Sequence, residues 1–256
     1  MELVSIIMPA YNCADFIAES IRSVLAQTYT NWELLIVDDC STDKTAEVIA
    51  SFADPRIHYQ RNTHNMRAAA TRNEAIKIAK GRYIAFLDSD DLWLPDKLEK
   101  QIAFMQAHDY SMTYAPYYVL TQDRTCNYLH TAPQSLTYFQ LTRWDRIGCL
   151  TVIYDADKLG KVLMPKILNR EDYAYWLVLL RQGITAYGYQ EPLAVYRSHN
   201  GMSNGSKWAL MKYHYQLFNA VLGYSKPVAA WLTLRNDFFY IWYTIQDNKR
   251  IPLCTF

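Results

Sequence analysis

The first hundred residues alternate short apolar runs with helix-forming stretches, and most of the apolar runs end on a polar or acidic group. Residues 3–8 are apolar with β-branched members and are stopped by Pro9, the pattern of a buried strand. Within residues 15–27, Phe16, Ile17, Ile21, Val24 and Leu25 recur at the spacing of one helical face. Residues 33–37, 56–59 and 83–87 read as further strands. Between them, a helix follows Ser41, whose oxygen can accept from a free first-turn N–H. Another covers residues 68–79, with Gly81 as its C-terminal cap. This rhythm predicts an α/β fold with a mostly parallel sheet flanked by helices. Ligands bind such sheets at the carboxyl ends of the strands. Met8-Pro9-Ala10, Asp38-Asp39 and Asp88-Ser89-Asp90-Asp91 all fall there.

Beyond Trp93 the pattern loosens. Residues 95–106 read as a helix, 110–120 as aromatic and strand-like, 121–150 as irregular, and 171–181 as a short helix closed by Gly183. Residues 208–246 read as two helices interrupted near Gly223 and Pro227. The expected organisation is one domain over 1–205 with a helical extension over 206–256. Within it, residues 1–100 form the half whose strand ends carry the acidic motifs, and 101–205 the second half.

Lys and Arg total 26 against 25 Asp and Glu, so no global field attracts nucleic acid, and no local basic stripe exists either. The five cysteines are widely spaced without a CxxC pair, which disfavours structural zinc and suits reduced thiols in a cytoplasmic protein. The N-terminus lacks a basic region and a long apolar run, so no signal peptide is expected. No segment approaches the ~20 apolar residues of a membrane span.

Asp88, Asp90 and Asp91 follow an apolar strand, where carboxylates are costly unless neutralised. Hard oxygen ligands suit Mg²⁺ or Mn²⁺, which also hold phosphates. The alternative is a helix cap within a solvated acidic turn. Asp38-Asp39-Cys40-Ser41-Thr42-Asp43 is a second cluster. A carboxylate there can accept from a base N–H or a ribose hydroxyl; capping by Ser41 and Asp43 is the competing reading.

Val4 to Asn12, Val37 to Asp43 and Phe86 to Asp91, in this order and spacing, resemble the inverting glycosyltransferases of family 2, which have the Rossmann-like GT-A fold. Arg72-Asn73 and Glu171-Asp172 ahead of Trp176 match too, and the similarity covers roughly residues 3–200. The stretch 87–98, with Trp93, Pro95 and Lys97, is most similar to bacterial enzymes of teichuronic acid, capsule and O-antigen synthesis. The resemblance implies a nucleotide-sugar donor, UDP-linked by preference, and a glycan or lipid-linked acceptor. It implies that residues 1–100 bind the donor and 101–205 the acceptor. It implies that Pro9, Ala10, Tyr11 and Asn12 border the nucleotide and that Asp39 binds the uracil edge. Arg72 would lie near the nucleotide. Asp88, Ser89 and Asp90 form the Asp-x-Asp element, with Asp90 the principal metal ligand, Asp88 beside it and Asp91 beside the sugar. Asp172 would be the general base, with Glu171 next in line. Tyr196-Arg197-Ser198-His199 looks like the late segment in which a histidine completes the metal site.

Two departures qualify this. Relatives usually have glycine where this chain has Arg67, so the loop backbone differs or Arg67 touches phosphate. The Gln-x-x-Arg-Trp element of processive members is missing after Asp172, which argues for addition of a single sugar. Arg197 can hold diphosphate or form an ordinary salt bridge. Rival functions are a noncatalytic nucleotide-sugar-binding module and a sugar nucleotidyltransferase. The latter needs a glycine-rich basic loop that Tyr11 to Asp15 lacks.

Residues 110–150 hold many tyrosines with Trp144, a set that suits sugar rings or an ordinary core. Cys149 and Thr151 precede an apolar strand and are candidates for the acceptor floor. The 206–256 segment interleaves aromatics with Lys and Arg, as interfacial helices do. It is expected at a membrane surface, at the inner face of the plasma membrane; packing onto the first domain or a dimer contact is the alternative.

Overall fold

The computed structural model describes residues 1–120, 126–167, 169–198 and 207–246. The first half runs β1 (Val4–Ala10), α1 (Ile17–Leu25), β2 (Trp32–Asp38), α2 (Thr45–Ala50), β3 (Ile57–Arg61), α3 (Arg67–Ile78) and β4 (Tyr83–Phe86). Next come β5 (Leu92–Trp93), α4 (Lys97–His108), β6 (Met112–Tyr114), β7 (Tyr117–Leu120), β8 (Cys126–His130), β9 (Ser135–Leu136) and α5 (Tyr138–Leu141). The remainder is β10 (Ile153–Asp155), α6 (Ala156–Leu159), α7 (Glu171–Leu180), β11 (Ala186–Gly188), β12 (Ala194–Arg197), α8 (Lys207–Gln216) and α9 (Lys226–Gln246). A π-helical turn, Leu217–Val221, continues α8.

The main sheet has the order β3-β2-β1-β4-β10-β6-β11-β9, and β5-β12-β7-β8 form a second, smaller one. β3, β2, β1 and β4 are mutually parallel, while β10 runs against both β4 and β6. β1 and β2 read as near-continuous apolar runs because helices cover both faces of a parallel sheet. α1 buries Ile17, Ile21 and Val24 completely, the stripe predicted from spacing.

Four local expectations need correction. Pro9 does not end its strand: β1 continues to Ala10 along β2, while its pairing with β4 stops at Ile7. The missing N–H of Pro9 therefore lies where one side of the ladder has already opened. Ser41 does not cap α2, which starts later, at Thr45. Cys40 turns left-handed (φ 70), and it is Asp43 Oδ1 that accepts from Thr45 N at 3.0 Å. Gly81 is no helix cap. Lys80 N and Gly81 N donate to Ser5 Oγ on β1 at 3.1 and 2.8 Å, and a Cβ on Gly81 would meet Ser5 N at 2.6 Å. Residues 121–150, expected to be irregular, contain β8, β9 and α5. These elements are too short to carry a periodic signal.

One buried cluster joins Trp176 and Tyr173 of α7 and Phe86 of β4 to Leu217, Phe218, Leu222, Ala229 and Leu232 of the C-terminal helices. The α8–α9 segment thus shares its core with the sheet. Near the acidic run, Lys97 is fully buried with Nζ 4.2 Å from the Trp93 ring and 3.1 Å from Gln101 Oε1. Trp93 Nε1 donates to Leu150 O and Gln101 Nε2 to Thr151 O, fixing the turn at Cys149–Thr151.

Candidate active site

The loops after β1 and β2 interlock. Asn12 (φ 46) and Cys40 (φ 70) are both left-handed, and the chains exchange bonds: Asn12 N to Ser41 Oγ at 3.0 Å, Thr42 N to Asn12 Oδ1 at 2.8 Å. Ala14 N adds a bond to Asp43 Oδ2. The two consecutive aspartates differ in task. Asp38 is buried and spends its oxygens on Ser41 N and Tyr59 OH. Asp39 accepts from Asn62 Nδ2 and Met66 N on Oδ1 and from Arg67 N on Oδ2. Asp39 thereby anchors the start of α3, and Oδ2 keeps a second lone pair for a ligand N–H.

Arg67 answers the first departure noted above. It adopts φ 69, the left-handed conformation that glycine takes readily, at the position where relatives usually have glycine. Arg72, one α3 turn further, is buried between motifs that are distant in sequence. Its Nη2 lies 2.5 Å from Asp88 Oδ1 and its Nη1 4.0 Å from Glu171 Oε1. Burial opposes the charge on Arg72, but Asp88 and its other acidic neighbours hold the pKa above the ordinary value. Burial raises the Glu171 carboxyl. Asp91 is 1% exposed; burial, then Asp90 and Asp88, push its carboxyl well above the usual range, against a hydrogen bond from Arg197 N.

Two cavities meet at this acidic run. The first, about 800 Å³, is bounded by Pro9, Ala10, Tyr11 and Asn12 from β1 and by Asp39, Arg67 and Arg72. Asp88, Ser89, Asp90, Glu171 and Tyr196 complete its wall. The second, about 430 Å³, holds Asp172, Asp145 and Arg170 under Tyr117, His130, Trp144 and Tyr240. Asp88 and Tyr196 line both, so the cavity of Asp39 and Asp90 and the cavity of Asp172 are neighbours across these two side chains. Asp91 and Cys149 line the second cavity, whereas Thr151 lies behind it with its hydroxyl on Gly148 O.

Among the described residues no group of three or more His, Cys, Asp or Glu is arranged to hold a metal ion. Asp88 and Asp90 nevertheless fit a hard cation that takes its remaining ligands from substrate phosphates, since both are oxygen donors and both border the larger cavity. His199 lies outside the described residues. Arg197 stands apart from the cavity walls: its guanidinium pairs with Glu19, which is the salt-bridge reading.

Asp145 escaped sequence reasoning because it belongs to no motif and sits where no periodicity marks an element. Its carboxyl is pushed up to about 7 by burial and then by Asp172, opposed by Arg170, whose Nη1 is 3.9 Å away. Asn169 (φ 58) and Arg170 (φ 59) form a left-handed pair directly before Glu171. Tyr117 and His130 are stacked at 4.6 Å and 11° on the roof of the same cavity.

A parallel sheet whose carboxyl edge gathers acidic motifs over a cavity of this size is the ligand-binding frame of an open α/β enzyme. The sequence model of glycosyl transferase family 2 matches residues 5–157, and the chain belongs to that family of glycosyltransferases. TuaG of Bacillus subtilis (strain 168), which carries the name of a teichuronic acid biosynthesis glycosyltransferase, is 45% identical over 82% of this chain and 84% of its own. The Escherichia coli UDP-Glc:α-D-GlcNAc-diphosphoundecaprenol β-1,3-glucosyltransferase WfaP is 42% identical over 81% and 82%. Staphylococcus aureus TarS (residues 1–349) in complex with UDP-GlcNAc superposes with a TM-score of 0.73 at 17% identity, over 95% of this chain and 73% of that one. The fold is therefore GT-A.

Proposed function

We propose that this enzyme is a nonprocessive inverting glycosyltransferase. It moves one hexose from a UDP-linked donor to a glycan or lipid-linked acceptor in bacterial surface polysaccharide synthesis, at the cytoplasmic side. The observation that carries the reading is that Asp88 and Tyr196 line both cavities, which sets the two side by side. A donor in the larger cavity and an acceptor in the smaller one then meet beside Asp172. The names of TuaG and WfaP support the polysaccharide setting and the lipid-linked acceptor. The structure of Pyrobaculum calidifontis PcManGT with GDP-Man and Mn²⁺ (TM-score 0.65, 17% identity, over 97% of this chain and 76% of that one) shares the fold.

In this reading Tyr11, half exposed at the cavity mouth, faces the base, and Asp39 offers its free lone pair to the uracil N–H. Asp88 and Asp90 would hold Mn²⁺ or Mg²⁺ at the diphosphate end of the donor cavity. The ion, when bound, stabilises the charge growing on the leaving UDP. Arg72 keeps Asp88 oriented, and Arg67 reaches toward the diphosphate from the turn after Asn65. Asp172 takes the proton of the attacking hydroxyl as the anomeric carbon inverts. Glu171, tied to Arg72, is the positioning neighbour. Arg197 contributes by holding Asp91 through its backbone N–H.

The test is donor turnover in Mn²⁺ with a panel of UDP-sugars. Wild-type protein should release UDP from at least one of them without acceptor. Asp90→Ala should abolish this and weaken metal-dependent UDP binding. Asp172→Asn should bind UDP normally and lose acceptor transfer by about 10²–10⁴-fold. Normal transfer by Asp172→Asn would move the base elsewhere.

A further inference from the structure

Helix α9 has two unlike faces. Ala229, Leu232, Thr233 and Asn236 are buried, and Asn236 Nδ2 bonds Tyr173 OH at 2.8 Å and Thr142 O at 3.3 Å, so the helix is fixed to the core. Tyr240, on the same side, lines the cavity that holds Asp172 and meets the Trp144 ring edge-on at 6.3 Å. The opposite arc carries Trp231, Leu234, Phe238 and Trp242, spaced three, four and four residues apart, each 51–60% exposed. Large apolar side chains grouped on one exposed stripe mark an interaction surface, unlike single scattered ones.

Charge indicates what covers it. Lys226 begins α9 and is exposed, Arg235 lies 4.8 Å from the Trp231 ring, and exposed Arg143 lies 5.8 Å from the Phe239 ring. Among the described residues no carboxylate pairs with any of the three, and the one acid of α9, Asp237, is taken by His214 Nδ1 at 2.8 Å. Aromatic residues flanked by unneutralised Arg and Lys complement an anionic lipid surface, where rings seat at the headgroup level and cations meet phosphate. None of the described helices is long and apolar enough to cross a membrane, so α9 would lie along it.

We propose that the Trp231–Leu234–Phe238–Trp242 face of α9 docks on an anionic phospholipid bilayer, making α9 the wall between that bilayer and the acceptor cavity. This rests on the reading of the enzyme as a transferase with a lipid-linked acceptor. The helix that touches the membrane is then the one that touches the acceptor through Tyr240. A lipid-borne acceptor reaches Asp172 without leaving the membrane.

The experiment is flotation of the full chain with phosphatidylcholine vesicles, with and without phosphatidylglycerol, in parallel with Mn²⁺-dependent UDP release. Wild-type protein should float with the anionic vesicles, less with neutral ones, and less at high salt. Trp231→Ser/Phe238→Ser should stay with the soluble fraction. Arg143→Glu/Lys226→Glu, which leaves the aromatic stripe intact, should bind about thirtyfold more weakly. Both variants should release UDP as wild type does, which shows them folded. Unchanged flotation of both variants overturns the proposal. So does a dimer in solution that Trp231→Ser/Phe238→Ser dissociates without altering flotation, since a second copy would then cover the face. Failure of UDP release in wild type would instead remove the UDP-donor reading of the site, a separate outcome.

Discussion

Arg67 holds a left-handed backbone with its N–H tied to Asp39 at 2.7 Å. Such a conformation costs a non-glycine residue about 1–2 kcal/mol, so the side chain is kept at some expense of stability. Arg67→Gly should therefore raise the urea midpoint by the equivalent of about 1 kcal/mol while raising the donor KM several-fold. An unchanged KM would remove Arg67 from the donor site. Asp145 carries a different burden. Asp172 and Arg170 face it, with Tyr117 and Tyr173 nearby, and its carboxyl titrates at about 7 rather than near the ordinary 4. Between those values the folded chain keeps a proton that the unfolded chain has released. Stability from this group therefore falls as pH rises through the window and levels off above it. Asp145→Asn cannot ionise, so its Tm should gain on wild type progressively from pH 4 to pH 8. A Tm difference independent of pH would mean that Asp145 titrates normally.

At the scale of elements, the motifs at strand ends were readable because a buried parallel strand needs a continuous apolar run, and a carboxylate directly after it stands out. The pairing of Arg72 with both Asp88 and Glu171 was not readable. It depends on α3, β4 and α7 converging, 16 and 99 residues apart in number, and no local pattern encodes that. Asp145 and the Tyr117–His130 stack were hidden for the same reason, in short strands and turns below the length at which periodicity speaks. Gly81 shows a readable residue with the wrong cause. Its position looked like a helix cap, but the need arises across the fold, where β1 passes. Gly81→Ala would press Cβ to 2.6 Å from Ser5 N and 2.7 Å from Leu3 O, backbone atoms that cannot rotate away. A loss of about 3 kcal/mol in urea unfolding is expected. Gly223→Ala, at the end of the turn after α8 with φ 71 and nothing within 4 Å, should cost only about 1 kcal/mol of backbone strain. Equal losses at the two sites would contradict the close-approach account.

The whole molecule is organised around the carboxyl edge of the main sheet. β1, β2 and β4 deliver Pro9 to Asn12, Asp39 and the Asp88 to Asp91 run, and α7 brings Glu171 and Asp172 against them. The C-terminal helices share the core with α7, so they support the wall of the smaller cavity, which Tyr240 lines, as well as presenting an outer face. In the proposed mechanism Asp172 is the carboxylate on the acceptor side and Asp88 and Asp90 are the acids on the leaving-group side, the division of labour that a single displacement requires. The most direct measurement is proton NMR of the product made from the UDP-sugar and acceptor that support turnover, read at the new anomeric centre. An α-linked UDP-hexose should yield a β-linked product; an α-linked product would mean that the sugar is transferred with retention and that Asp172 does not serve a one-step inversion.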